Sequence, residues 1–282
     1  MRVQCADRHL DLSTPAIMGV INTTPDSFSD GGTLYRNQRL DLDAALARAR
    51  SMVDEGAAIL DIGGESTRPG AAPVSLQQET DRVLPLVERI SAELDVVVSV
   101  DTSSPGLMSA AAAAGAGMIN DVRALQRAGA VQAAAASGLP ICLMHMQGEP
   151  GDMQQSPHYE HVVDEVVDFL AARVAACESE GIERSRLLVD PGFGFGKTVD
   201  HNLQLLAQLA NFSALGLPIL VGLSRKSMIG KLLGRAVHER LPASIALALL
   251  AAERGAAIIR THDVAPTLDA IRIWRAMEQR DC

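Results

Sequence analysis

No apolar stretch in this chain is long enough to cross a bilayer, and the first twelve residues carry Arg2, Asp7, Arg8 and Asp11. Neither a membrane span nor a signal peptide or anchor is expected from that pattern, and a cytoplasmic protein is the default reading. Cysteine is sparse and scattered. Cys5, Cys142, Cys177 and Cys282 lie far apart with no CxxC pair, which argues against a disulfide framework and a zinc site and for reduced thiols. Positive charge is also in deficit. A formal net charge of −9 argues against nucleic acid, which would want a basic face. Any anionic ligand must then be held by a local cationic cluster.

What the chain has instead is 48% hydrophobic and 21% charged residues, enough to bury a substantial core. The apolar residues come in eight short runs: AIMGVI (16–21), AAILDI (57–62), VVVSV (96–100), GMI (117–119), ICLM (141–144), RLLV (186–189), PILVGL (218–223) and AAIIR (256–260). Stretches with helical spacing lie between them, among them 41–55, 76–94, 159–180 and 266–277. Strand followed by helix eight times predicts right-handed crossovers and a closed parallel sheet, a (β/α)8 TIM barrel in the α/β class. We read residues 1–282 as a single domain with its core at about 15–275. A doubly wound open sheet is the competing arrangement. It lacks support because no glycine-rich turn follows the first run, and 282 residues suit one barrel of roughly 250 plus loops.

Most runs end in polar or charged residues: Asn22, 63–68, Asp101, Asn120 with Asp121, His145, Asp190, 224–226, and His262 with Asp263. In a barrel of this type all eight C-terminal strand ends open onto one mouth, so these residues are expected to converge. The irregular segments 23–39 and 63–73 follow the first two runs and are expected to be mobile covers; 147–156 is a third such segment.

Asp101, Asn120 and Asp190 would form a row suited to an amino-substituted heterocycle, since a carboxylate accepts two parallel hydrogen bonds from a ring NH and an exocyclic NH2. Each Asp could instead simply cap the next helix. Arg68, Lys226, Arg260 and His262 would together make an anion site, and a helix starting near Ser227 would add oriented backbone NH groups. His145 reads equally well as a supporting or a functional side chain. The stretch DPGFGFGKT (190–198) looks like a phosphate loop but fails the spacing. Pro191 stands where a P-loop needs glycine, and Lys197 stands where the dinucleotide fingerprint needs its last glycine. Its glycines could let backbone approach a flat ligand covered by Phe193 or Phe195.

Eight segments carry a specific resemblance: IMGVINTTPDSFSDGG (17–32), DIGGESTRPGA (61–71), SVDT (99–102), INDV (119–122), CLMHMQG (142–148), LLVDPGFGFGKT (187–198), GLSRKSMIG (222–230) and RTHDV (260–264). In order and over about residues 15–275, the chain resembles the dihydropteroate synthase family. The resemblance implies a barrel that joins 6-hydroxymethyl-7,8-dihydropterin diphosphate to 4-aminobenzoate, releasing pyrophosphate. It places Asp101, Asn120, Asp190 and Lys226 on the pterin ring. Asn22, Arg260 and His262 would meet the diphosphate, with Asn22 ligating Mg2+ and Arg260 also stacking on the pterin. Thr67, Arg68, Pro69, Phe195, Lys226 and Ser227 would shape the aminobenzoate pocket. The family is the sulfonamide target of folate synthesis, and the resemblance further implies a homodimer through outer helices of the last repeats. Thr23 and Thr261 stand where other members often have an apolar residue. Two alternatives share the acceptor row: a pterin-binding methyltransferase, with little use for the cationic cluster, and a noncatalytic pterin-binding paralogue.

Overall fold

In the computed structural model, residues 1–24, 35–36, 39–66 and 74–279 are described. In chain order the strands are β1 (Arg2–Cys5), β2 (Arg8–Asp11), β3 (Ala16–Asn22), β4 (Tyr35–Arg36), β5 (Arg39–Leu40), β6 (Ile59–Gly63), β7 (Val97–Asp101), β8 (Met118–Asp121), β9 (Ile141–Met144), β10 (Leu187–Asp190), β11 (Ile219–Val221) and β12 (Ala256–Thr261). The helices are α1 (Leu42–Asp54), α2 (Leu76–Glu93), α3 (Pro105–Ala113), α4 (Ala130–Ser137), α5 (Val162–Ser179), α6 (Val199–Ala207), α7 (Ser227–Leu233), α8 (Leu241–Glu253) and α9 (Val264–Glu278).

Eight strands close a parallel barrel in the order β10-β11-β12-β3-β6-β7-β8-β9, the architecture expected from the alternating runs. Each barrel strand buries both faces, which is why its sequence reads as a continuous apolar run. The two faces nonetheless serve different cores. Ile17, Leu60, Ile62, Val98, Ile119 and Ile141 pack outward against the helices. Met18, Ile59, Val97, Met118, Cys142, Leu188, Leu220 and Ile258 pack inward.

The N-terminal hairpin was not foreseen. β1 and β2 pair antiparallel and send Val3, Cys5, Leu10 and Leu12 into the inner core, so the hairpin plugs the end of the barrel opposite the mouth. Cys5, Cys142 and Cys177 are free and buried, as the reduced-thiol reading expected. Cys282 lies outside the described residues. Among the described residues no helix is long and apolar enough to cross a membrane.

Helix boundaries follow local chemistry. Ser75 and Gln78 cap α2 reciprocally, the Ser75 hydroxyl accepting from Gln78 N at 3.2 Å and the Gln78 amide oxygen accepting from Ser75 N at 3.0 Å. Asp41 caps α1 by accepting from Ala44 N. Most of segment 23–39 and of segment 63–73, the two expected covers, lies outside the described residues.

Candidate active site

Side chains along a strand alternate faces with period two, and that parity builds the site. Two residues beyond the inward Ile59 comes Asp61; two beyond Val97 comes Ser99, then Asp101. Asn120 follows Met118 in the same way, Asp190 follows Leu188, and Arg260 follows Ile258. The interstrand register carries one of these rows across the mouth: Asn22 pairs with Gly63, Gly63 with Asp101, and Asp101 with Asn120. Separated segments of sequence thereby converge on a cavity of about 460 Å3 lined by Asn22, Asp101, Phe195, Lys226, Ser227, Arg260 and His262. Asn120 and Asp190 lie buried below these, 4% and 6% exposed.

Arg260 is the hub of the floor. Its Nε donates to Asp61 Oδ2 at 2.7 Å and its Nη2 to Asp101 Oδ2 at 3.2 Å. Asp61, fully buried, also accepts from Ser99 Oγ at 2.6 Å and from Asn120 Nδ2 at 3.1 Å. Arg260 is thus tied to the acidic row itself, so the acidic and basic residues meet at one mouth as the strand ends led us to expect. Asp61 was overlooked as a site residue because it sits inside the apolar run AAILDI. Its parity with Ile59 was the signal that could have found it.

Neither Asp101 nor Asp190 caps a helix. The N-cap of α3 is Ser104, with no side-chain cap, α6 is capped by Thr198, and Asp190 Oδ1 accepts from Gly192 N at 2.7 Å. Burial, reinforced by the charge on Asp61, pushes the Asp101 carboxyl well above the carboxylate range against the pull of Arg260. Burial likewise raises Asp190 to about 6 and lowers Lys226 to about 8, helped by the nearby Arg260 charge. Shifted acids and a shifted lysine gathered in one cavity mark it as the candidate functional site.

Above the floor, Lys226 Nζ lies 4.2 Å from the centre of the Phe195 ring. The turn carrying it is strained: Arg225 adopts a left-handed φ of 55°, uncommon for a side chain of its size. Asp263 holds that turn by accepting from Arg225 Nε at 2.9 Å, and Ser244 Oγ accepts from Arg225 N at 2.9 Å. α7 begins at Ser227, as expected. His262 Nδ1 meets Ser224 Oγ at 3.0 Å, which joins the ends of β11 and β12.

The glycine loop after β10 packs directly on the backbone after β9. A Cβ at Gly192 would stand 1.8 Å from the His145 carbonyl oxygen, and one at Gly196 2.3 Å from that of Gln147. The glycines therefore serve close backbone approach, but toward protein. Of the two candidate covers, Phe195 lines the cavity, whereas Phe193 is 1% exposed and belongs to the core. His145 is buried beside Lys197 at 2.8 Å and is a supporting side chain; burial and the Lys197 charge hold its ring neutral, with its pKa lowered to about 2. Thr67, Arg68 and Pro69 lie outside the described residues. Thr23 and Thr261 are buried, Thr23 donating to Gly63 O and Thr261 sharing a hydrogen bond with Thr267.

A closed α/β barrel with acceptors and cations gathered at the carboxyl ends of its strands is the frame of a pterin-binding enzyme, and the sequence model described as "Pterin binding enzyme" matches residues 18–262. The dihydropteroate synthase of Escherichia coli (strain K12) is 51% identical over 276 residues, 98% of this chain and 96% of that protein. Among solved structures, the Yersinia pestis dihydropteroate synthase with a sulfonamide drug complex superposes with a TM-score of 0.95 at 49% identity, covering 99% of this chain and 100% of that one. The Xanthomonas albilineans enzyme in complex with 7,8-dihydropteroate gives 0.88 at 48% identity, covering 99% of each. The chain belongs to the dihydropteroate synthases.

Proposed function

We propose that this protein condenses 6-hydroxymethyl-7,8-dihydropterin diphosphate with 4-aminobenzoate to give 7,8-dihydropteroate and pyrophosphate. The observation that carries the reading is the single cavity on which Asp101, Lys226, Arg260 and His262 converge above the buried Asn120 and Asp190. The acceptors suit the ring NH and NH2 groups of a pterin, and the cations suit its diphosphate tail.

In the reaction the methylene C–O bond breaks, pyrophosphate leaves with the electron pair, and the amine nitrogen forms the new C–N bond before losing its proton. Electron donation from the dihydropterin ring supports the cationic methylene carbon, so the displacement is dissociative. Arg260 and His262 stabilise charge that develops on the departing oxygens, and Lys226 lies between that end and the Phe195 face that takes the aminobenzoate ring. No side-chain nucleophile is needed. By the family resemblance, Arg68 is assigned to the anion site, and Thr67 and Pro69, with Ser227, to the amine pocket.

Asn22, at the end of β3 on the cavity wall, offers a neutral amide oxygen. Among the described residues no group of three His, Cys, Asp or Glu side chains is arranged for a metal. A Mg2+ ion taking few protein ligands and the rest from diphosphate fits that donor set. When bound it would add positive charge at the departing diphosphate.

Exposed Leu232, Leu233, Leu250, Ile273 and Met277 on α7, α8 and α9 support pairing of two copies through these outer helices. Buried free thiols fit a cytoplasmic setting.

The test is pyrophosphate release from the pterin diphosphate with Mg2+, with and without 4-aminobenzoate. Release that depends on the amine supports the synthase; tight pterin binding with no release under either condition would identify a noncatalytic paralogue.

A further inference from the structure

The loop 191–197 presents Phe195 to the cavity, and its glycines by themselves do little to hold the ring still. Gly192, Gly194 and Gly196 all have positive φ, at 71°, 81° and 60°, and glycine-rich backbone has the most freedom to lose on ordering. The restraint comes from the inner side of the loop. Lys197, 2% exposed, donates from Nζ to the carbonyl oxygens of Gly192 and Phe195, each at 3.0 Å, and to that of His145 at 3.4 Å. Its fourth neighbour is His145 Nδ1 at 2.8 Å, the acceptor position of a neutral imidazole.

An ammonium has three N–H donors and no acceptor, and these four acceptors all come from the loop or from the residue that ends the β9 crossing. Among the described residues no carboxylate hydrogen-bonds to it, so the side chain acts as a tie between two backbone segments rather than as one half of an ion pair. Burying an ammonium is costly against an apolar side chain of similar volume, and here the compensation comes from groups whose position it fixes. Other hydrogen bonds hold the rest of the loop: Gln154 Nε2 donates to Gly194 O at 2.5 Å and Phe195 N to Gly192 O at 3.1 Å. Tyr159 Oη donates to Gly196 O at 2.9 Å, and Asn202 Oδ1 accepts from Gly194 N at 2.7 Å, leaving the Phe195 carbonyl to Lys197.

We infer that Lys197 is a positioning residue for the amine substrate: by fixing the carbonyls of Gly192 and Phe195 against the end of β9, it sets where the Phe195 ring stands in the cavity. The inference rests on the assignment of Phe195 to the aminobenzoate pocket.

Lys197→Met keeps the length of the side chain and removes its donors. The KM for 4-aminobenzoate is expected to rise by about fivefold or more, with kcat and the KM for the pterin diphosphate within roughly twofold of the parent. Amide hydrogen exchange across residues 192–197 is expected to quicken by about tenfold or more while the barrel strands keep their protection. A purely structural role would lower Tm and scale kcat with the folded fraction, leaving both KM values in place; that pattern, or unchanged exchange, overturns the inference.

If Lys197→Met does not fold, His145→Leu removes one acceptor and should raise the same KM. His145→Gln, whose amide oxygen can accept the same donor, should restore it to within roughly twofold of the parent. Equal KM values for parent, Leu and Gln variants overturn the inference. Should the parent itself release no pyrophosphate with 4-aminobenzoate, the pocket assignment fails, and hydrogen exchange in the variants still decides whether Lys197 holds the loop.

Discussion

Replacing Asp61 by Asn isolates the charge beneath Arg260, because the shape and much of the hydrogen bonding can survive. The new amide oxygen can take the place of Oδ2 and accept from Arg260 Nε and Asn120 Nδ2, now 2.7 and 3.1 Å away, while Ser99 Oγ rotates to accept from the amide NH2. What is lost is the charge assistance to a guanidinium that is 21% exposed in its side chain. Hydrogen bonds to charged groups contribute about 1.5–3 kcal/mol, which at about 1.4 kcal/mol per decade is roughly 10- to 100-fold if it falls on Arg260 placement. We expect kcat/KM for the pterin diphosphate to fall by that factor in a coupled pyrophosphate assay. The pH profile gives a second reading. The Asp61 charge is one of the causes that raise the Asp101 carboxyl, so its removal lets Asp101 ionise at lower pH, and the acid limb of kcat/KM should move down. A variant with parental kcat/KM, or with an acid limb moved up, would refute the reasoning.

On the proposed role of Arg260 in stabilising the departing diphosphate, Arg260→Ala should depress kcat by on the order of 10²- to 10³-fold; an unchanged turnover number excludes Arg260 from that role. Lys226, lowered by burial to about 8, carries its proton below that pH and loses it above, so kcat/KM for the parent should fall on the alkaline side near 8. Lys226→Gln should be slower overall and lack that limb; its persistence at the same pH assigns the limb elsewhere. Gly192→Ala places a Cβ against the His145 carbonyl at a φ of 71°, whereas Gly138→Ala has the same φ with nothing within 4 Å. Both incur left-handed strain of about 1–2 kcal/mol, so the Tm of the Gly192 variant should be the lower by at least about 4 °C. Equal Tm values would show that the loop can move off β9 freely.

The apolar runs foretold the barrel because a strand buried on both faces has little choice but aliphatic residues, and the helices between them were legible by their spacing. The run 141–144 coincides with β9, and the stretch 76–94 with α2 to within one residue. The hairpin of β1 and β2 was not legible. Its strands are four residues each, and only the barrel's open end supplies the apolar surface against which Val3, Cys5, Leu10 and Leu12 are buried.

The site divides along the same line. Asp101, Asn120, Asp190, Lys226, Arg260 and His262 were recognisable because each ends or follows an apolar run, and strand ends share one mouth. Asp61 was hidden by standing within a run, and the opposite fates of Phe193 and Phe195, two residues apart, could not be told from a loop with no fixed period. Sequence by itself determined which residues reach the mouth, since strand length and period are local properties of the chain. Which of them touch was decided only by closure of the barrel: the register that brings Arg260 onto Asp61 and Asp101, 199 and 159 residues away, exists only when β12 has paired with β3 and β3 with β6.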